Sequence, residues 1–246
     1  MNQVFARSPS LKDVQTHFCP GCHHGSIHRL VAEALDEFSL REKTIGCASV
    51  GCSVFLYGYF NIDVVESPHG RAPAVATGVK RARPDSIVFT YQGDGDLAAI
   101  GTSEIIHAAN RGEDITVIFV NNTTYGMTGG QMAPTTLVGM KTTTTPLGRN
   151  ARTEGPPIKV CELLQGLANT VYLERTAVNS PANVIKTKKA IKKAFHYQQK
   201  QAGFSLVEIL SPCPTNWRMD APASCTWIDE VMAKEFPLGV IKEVPC

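Results

Sequence analysis

A β-rich run ending on Gly-Asp-Gly, then one helical segment, then a second β-rich run ending on Asn-Asn, constrains this chain more than any other feature. Residues 86–91 (SIVFTY) have the pattern of a buried strand and run straight into Gly93-Asp94-Gly95-Asp96. Residues 97–110 suit a helix, closed by Arg111-Gly112, and residues 115–120 (ITVIFV) form the second run, ending at Asn121-Asn122. Strand, helix and strand with short joints make a βαβ unit, whose parallel strands belong in a sheet covered on both faces. The prediction is one α/β domain over residues 1–246, doubly wound around a mostly parallel sheet.

The flanking segments extend this plan. After Cys19-Pro20-Gly21-Cys22, a helical face carries Ile27, Leu30, Val31, Ala34, Leu35 and Phe38. Residues 123–157 form a long glycine- and threonine-rich loop, and a loop of that length in a compact domain is functional or an interface. Residues 158–168 and 170–178 suit a helix and a strand, Asn179-Ser180-Pro181 opens a helix to about residue 202, and residues 204–210 form a last strand. From Thr215 the pattern shows no sheet role, so residues 215–246 are expected to pack on a partner. No apolar run reaches the roughly 18 residues that span a bilayer. The start, MNQVFARSPS, lacks the apolar core of a secretory leader, which predicts a cytoplasmic location. A net charge of +2 argues against a nucleic-acid protein held by phosphate contacts.

Both motif ends fall on one edge of a parallel sheet, where open α/β sheets bind ligands. Asp94 offers a charged oxygen, Asn122 an amide oxygen, and a carbonyl just beyond, that of Thr124, a third. A few hard oxygens completed by water and phosphate suit Mg²⁺. Gly93 and Gly95 allow backbone amides near a diphosphate at a helix's positive end. GDGDLA also fits the dinucleotide pattern G-x-G-x-x-G/A. That reading expects an acid at the second strand end, where this chain has asparagines, and a glycine turn with solvated acids is the plain alternative.

Eight cysteines stand in a chain too long to need disulfide staples. Cys19-x-x-Cys22 suits a redox dithiol, half a zinc site or half an iron–sulfur site. Cys47 follows a β-rich segment, and Cys213 ends the last one between two prolines. Cys52 competes with Cys47, and a structural four-cysteine zinc site competes with a cluster. Cys161, Cys225 and Cys246 suit packing or incidental roles. His23, His24 and His28 have the wrong spacing for a zinc finger and are expected on the helix surface, or beside a cluster as tuning groups. Lys186, Lys188, Lys189, Lys192 and Lys193 suit a solvated helix face, with an acidic partner or a phosphate-bearing ligand as the alternative.

Gly-Asp-Gly, about 25 residues, then Asn-Asn resembles the signature of thiamine-diphosphate enzymes. With FCPGCHHG (18–25), IGCASVGC (45–52), SPHGRA (67–72) and YGMTGGQMAPTT (125–136), the chain resembles the β subunit of the 2-oxoacid:ferredoxin oxidoreductases over roughly residues 15–215. The resemblance implies the diphosphate-domain type of thiamine-diphosphate-binding fold. It implies Mg²⁺ on Asp94, Asn122 and Thr124, with Cys47, Ala48, Ser49, His69, Gly93, Gly95, Asp96, Leu97, Met127 and Thr128 around the cofactor. It also implies a [4Fe–4S] cluster on Cys19, Cys22, Cys47 and Cys213, for CoA-dependent oxidative decarboxylation of a small 2-oxoacid with electrons passing to ferredoxin. A non-oxidative thiamine-dependent decarboxylase subunit with structural zinc is the alternative.

In thiamine enzymes the activating glutamate lies on a pyrimidine-binding domain, here expected on an α subunit. Gamma and ferredoxin-like delta subunits are expected alongside, since the chain has no C-x-x-C-x-x-C run. Some relatives carry lysines where this chain has Val50 and Gly129. Their loss leans away from 2-oxoglutarate, with branched-chain 2-oxoacids and 2-oxoglutarate both open.

Overall fold

A computed structural model describes residues 6–245; Cys246 and the first five residues of the lead-in fall outside it. Among the described residues nine strands run in chain order: β1 Thr44–Ala48, β2 Asp63–Glu66, β3 Ile87–Gly93, β4 Thr116–Asn121, β5 Thr124–Tyr125, β6 Gln131–Met132, β7 Thr170–Ala177, β8 Phe204–Leu210 and β9 Gly239–Glu243. Seven form one sheet in the order β2-β1-β3-β4-β8-β7-β9, while β5 and β6 pair as a separate antiparallel hairpin. All pairs in the main sheet are parallel except β7 with β9. The doubly wound, mostly parallel α/β plan is therefore present.

Alternation along the strands sorts the two layers. Phe89 and Tyr91 of β3, Ile118 and Val120 of β4, and Val207 and Ile209 of β8 pack under the helices His24–Glu37 and Pro181–Gln199. The intervening residues Val88, Val117, Phe119 and Leu206 pack with the helices Ala72–Ala82, Thr102–Arg111 and Val160–Gln165. Because both faces are covered, β3, β4 and β8 are apolar almost throughout rather than alternating with polar residues. Ser180 caps the long helix by accepting from the Asn183 N–H, with Pro181 in its first turn.

The tail departs from expectation. Residues 239–243 add an antiparallel edge strand to β7, and Ile228, Met232 and Phe236 form a third apolar cluster with Leu137, Leu210 and Trp217. The pattern gave no warning, because β9 is an exposed edge strand with little apolar burial of its own. Strand β2, another edge strand, was likewise absent from the sequence reading. The helix after Gly-Asp-Gly begins with a wide turn, in which Gly101 N–H donates to the Asp96 carbonyl five residues back before regular helix resumes at Thr102–Arg111. Among the described residues no helix is long and apolar enough to cross a membrane.

Candidate active site at the carboxyl edge of the sheet

Register brings four strand ends to one edge. Ala48 lies beside Tyr91, Gly93 beside Val120, and Asn121 beside Leu210. The segments leaving these strands therefore meet: residues 49–53, Asp94, Asn122 and Cys213. An open cleft lies there, lined by His69, Gly93, Asp94, Gly95, Asp96, Asn122, Thr124, Met127 and Thr128.

Asp94 forms the floor of the cleft. Its carboxylate accepts from Gly95 N–H at 2.9 Å, Thr124 N–H at 3.1 Å and the Thr135 hydroxyl at 2.6 Å. Burial pushes Asp94 up to about 6, against those hydrogen bonds. The same Thr124 N–H also reaches Asn122 Oδ1 at 3.3 Å, so the two side-chain oxygens converge. A carboxylate, an amide oxygen and the nearby Thr124 carbonyl are the hard donors that Mg²⁺ accepts alongside water and phosphate. A Cβ added at Gly93 meets nothing within 4 Å, leaving space for a diphosphate. At Gly95 the space is already taken, since an added Cβ would lie 2.4 Å from the Tyr125 ring.

Asp96 gathers the neighbouring segments. Its Oδ1 accepts from Ser49 Oγ at 2.8 Å and Gly70 N–H at 2.6 Å and contacts His69 Nδ1, while Oδ2 accepts from Gln92 Nε2 at 2.6 Å. His69 is thus held by Asp96 with its ring at the cleft wall. Gly70, at φ +79°, lies so close to Ile100 and Gly101 that an added Cβ would meet them at 2.6–2.7 Å. This packing brings the histidine loop against the wide turn.

Not every expected residue reaches the cleft. Leu97 packs with Ala72 and Ala76, Ala48 belongs to the opposite core, and Ser49 is buried on Asp96. The lining from this loop comes instead from Val50, Gly51, Cys52 and Ser53, with His24, Tyr125 and Gly126 completing the wall. Gly51, at φ +113°, makes the turn that presents Cys52.

The cysteines also need a correction. Cys47 is fully buried with Ala72, Ala76 and Val88, because alternation along β1 turns it to the face opposite Ala48. Cys52 is the residue that shares the Gly126 wall with Cys213 and lies near enough to Cys19 and Cys22 for their charges to act on one another. Burial pushes the Cys22 thiol up to about 12; the His24 N–H opposes this, while Cys213, Cys52 and Cys19 add to it. Burial likewise pushes Cys52 up to about 11, with Cys213 and Cys19 contributing. A Cβ added at Gly126 would lie 3.5 Å from Cys52 Sγ and 3.9 Å from Cys213 Sγ. Among the described residues no three His, Cys, Asp or Glu side chains gather tightly enough to hold one ion. A cubane cluster takes one thiolate per iron, so four cysteines are the donor set it would require.

Of the three histidines, only His23 stays partly at the surface. His24 and His28 are buried, and His24 Nδ1 bonds the Tyr91 hydroxyl at 2.7 Å. Burial pushes His24 down to about 4 and His28 well below its ordinary value. The lysine run is largely committed within the chain: Lys188 pairs with Glu33 and Glu37, Lys192 with Glu37, and Lys193 with Glu243.

Comparison with known proteins places this arrangement. The model of the thiamine pyrophosphate enzyme C-terminal TPP-binding domain matches residues 44–209. The ketoisovalerate oxidoreductase subunit VorA of Methanothermobacter thermautotrophicus is 50% identical over 238 residues, 97% of this chain and 50% of that protein. The chain thus spans about half the length of this relative. The 2-oxoglutarate synthase subunit KorB of Methanocaldococcus jannaschii is 40% identical over 200 residues, 80% of this chain and 69% of that protein. The solved 2-oxoglutarate:ferredoxin oxidoreductase from Magnetococcus marinus, with 2-oxoglutarate, coenzyme A and succinyl-CoA bound, matches with a TM-score of 0.79 at 26% identity, over 99% of this chain and 87% of that one.

Proposed function

Because this chain belongs to the 2-oxoacid:ferredoxin oxidoreductase subunits that carry a thiamine pyrophosphate-binding domain, we propose that it binds Mg²⁺–thiamine diphosphate and a [4Fe–4S] cluster for the CoA-dependent oxidative decarboxylation of a 2-oxoacid. Thiamine diphosphate, when bound, would supply the electron sink for loss of CO₂, and a cluster on the cysteines would supply a one-electron acceptor. Asp94, Asn122 and the Thr124 carbonyl would hold Mg²⁺, and His69, fixed by Asp96, would orient the diphosphate. Cys19, Cys22, Cys52 and Cys213 would hold the cluster. The observation that carries this reading is Cys52, which lines the same cleft as Asp94 and Asn122 while facing Cys213. Cofactor and electron acceptor would thereby share one wall.

Among the described residues no glutamate lines the cleft. This fits an activating glutamate on a separate pyrimidine-binding domain; that the relatives are named as subunits supports assembly with further chains, proposed as gamma and ferredoxin-like delta subunits together with ferredoxin. No lysine or arginine lines the cleft either, whereas Val50 and Met127 do. That supports a 2-oxoacid with an apolar branched side chain over 2-oxoglutarate, whose second carboxylate would lie unpaired here.

The test is the native complex purified anaerobically and assayed for iron, acid-labile sulfide and zinc. The expected content in this subunit is about four iron and four sulfide, the stoichiometry of a cubane. Zinc without sulfide overturns the oxidative reading.

A further inference from the structure

The short helix Pro214–Trp217 begins immediately after Cys213, so its first turn lies against that sulfur. Asn216 Nδ2 donates to Cys213 Sγ at 3.2 Å and to the Gly126 carbonyl at 2.9 Å. A primary amide has two N–H bonds, and here each has its own acceptor. The Asn216 backbone N–H also bonds the Cys213 sulfur. Gly126 lies on the cleft wall, and its α-carbon faces both Cys52 and Cys213.

Two features keep the amide in place. Gly130, at φ +83°, lets the Asn216 side chain come within 3.1–3.2 Å of where a Cβ would stand. Trp217 Nε1 donates to the Asn122 carbonyl at 3.0 Å and fixes the same helix to the proposed metal loop. Shortening Asn216 to serine would sever at least one of its two contacts, and aspartate offers no donor.

We infer that Asn216 is a tuning residue: by donating to Cys213 Sγ while gripping the Gly126 carbonyl, it raises the reduction potential of the cluster and fixes that cluster against the cofactor loop. A donor on a ligand sulfur stabilises the more negative, reduced state of a cluster, so losing it makes reduction harder. This rests on the cluster reading above. Electrons leaving the cleft would enter an acceptor held ready by a group that itself touches the cleft wall.

The experiment is an EPR-monitored redox titration of the anaerobically purified complex, with iron and sulfide assayed in parallel. Asn216→Ala and Asn216→Leu are expected to keep wild-type iron and sulfide and to shift the cluster potential to more negative values. Asn216→Asp, which keeps the shape but removes the donor and adds charge, is expected to shift it furthest. Variants that titrate with the wild type overturn the inference. If Asn216→Ala loses iron, the shape-conserving Asn216→Asp decides, and an unmoved potential there overturns it equally. A wild-type complex without sulfide or a cubane signal instead overturns the cluster reading itself.

Discussion

The floor of the cleft and its cysteine rim are built in opposite ways. Asp94 and Asn122 leave adjacent strands, and what holds them lies inside the sheet. Asn121 Nδ2 donates to Glu208 at 2.8 Å, Arg175 pairs with Glu208 at 2.8 Å, and Arg175 goes on to Glu162 at 2.5 Å. Asn121 Oδ1 also accepts from Thr123 N–H at 3.2 Å, holding the left-handed turn at φ +60° from which Thr124 projects. The rim instead collects Cys19 from the lead-in, Cys22 just before a helix, Cys52 from the start of the short 3-10 helix Cys52–Phe55, and Cys213 from beyond β8, at the start of the helix Pro214–Trp217. The helix behind Cys22 is tied to its neighbour by surface ion pairs. A site framed by sheet register is rigid before any ligand arrives, whereas a site collected from four separate segments depends on its ligand to fix it.

The sharpest way to break the comparison is at the rim. Cys52→Ser is expected to abolish cluster loading, while Cys47→Ala leaves iron and sulfide unchanged and costs only core packing. Loss of iron from Cys47→Ala would reverse the correction. On the floor, Asp94→Ala is expected to abolish Mg²⁺-dependent thiamine diphosphate binding in calorimetry. Thr135→Val, which removes only the 2.6 Å bond to Asp94, should weaken binding by about 10-fold, as loss of a group behind a metal ligand does. Equal affinities for wild type and both variants would move the cofactor elsewhere.

Beneath the floor, Arg175→Met leaves the fully buried Glu208 without its cation. Breaking a buried pair by removing one partner costs about 3–5 kcal/mol, readable as a lower denaturant midpoint. A loss near zero would mean the floor is held by its strands alone.

The floor was legible in the sequence and the rim only partly so. Gly-Asp-Gly and Asn-Asn each follow a long apolar run, so the strand ends and their common edge follow from the βαβ rule without knowledge of side-chain contacts. Cys47 and Cys52 lie five residues apart in one segment, and their roles depend on which face of β1 meets which helix layer. Alternation puts Cys47 and Ala48 on opposite faces but does not say which face is which. Asn216 was invisible for a related reason: its partners lie 3 and 90 residues away, and nothing local marks it. Strands β2 and β9 escaped because edge strands carry weak apolar patterns.

The smallest effect tests the outer support of the rim. Lys188 bonds Glu33 at 2.6 Å and pairs with Glu37 at 2.6 Å, joining the two helices on one face of the sheet. Glu33 and Glu37 are held below the ordinary glutamate range by hydrogen bonds from Lys188, with Arg29 helping Glu33 and Lys192 helping Glu37, although burial opposes this and is the largest influence on Glu33. A carboxylate whose folded value is depressed stabilises the fold above its unfolded value. That stabilisation fades as pH falls through the folded value. Lys188→Met is therefore expected to cost about 0.5 kcal/mol at neutral pH, the scale of a partly exposed pair. The gap between variant and wild type should close as the solution is acidified past the glutamate range. Denaturant curves at pH 7 and pH 3 measure it, and a gap that persists at pH 3 would assign the lysine's role to packing of its stem. Either way cluster content should not change, because these pairs support the helix behind Cys22 without touching the sulfurs.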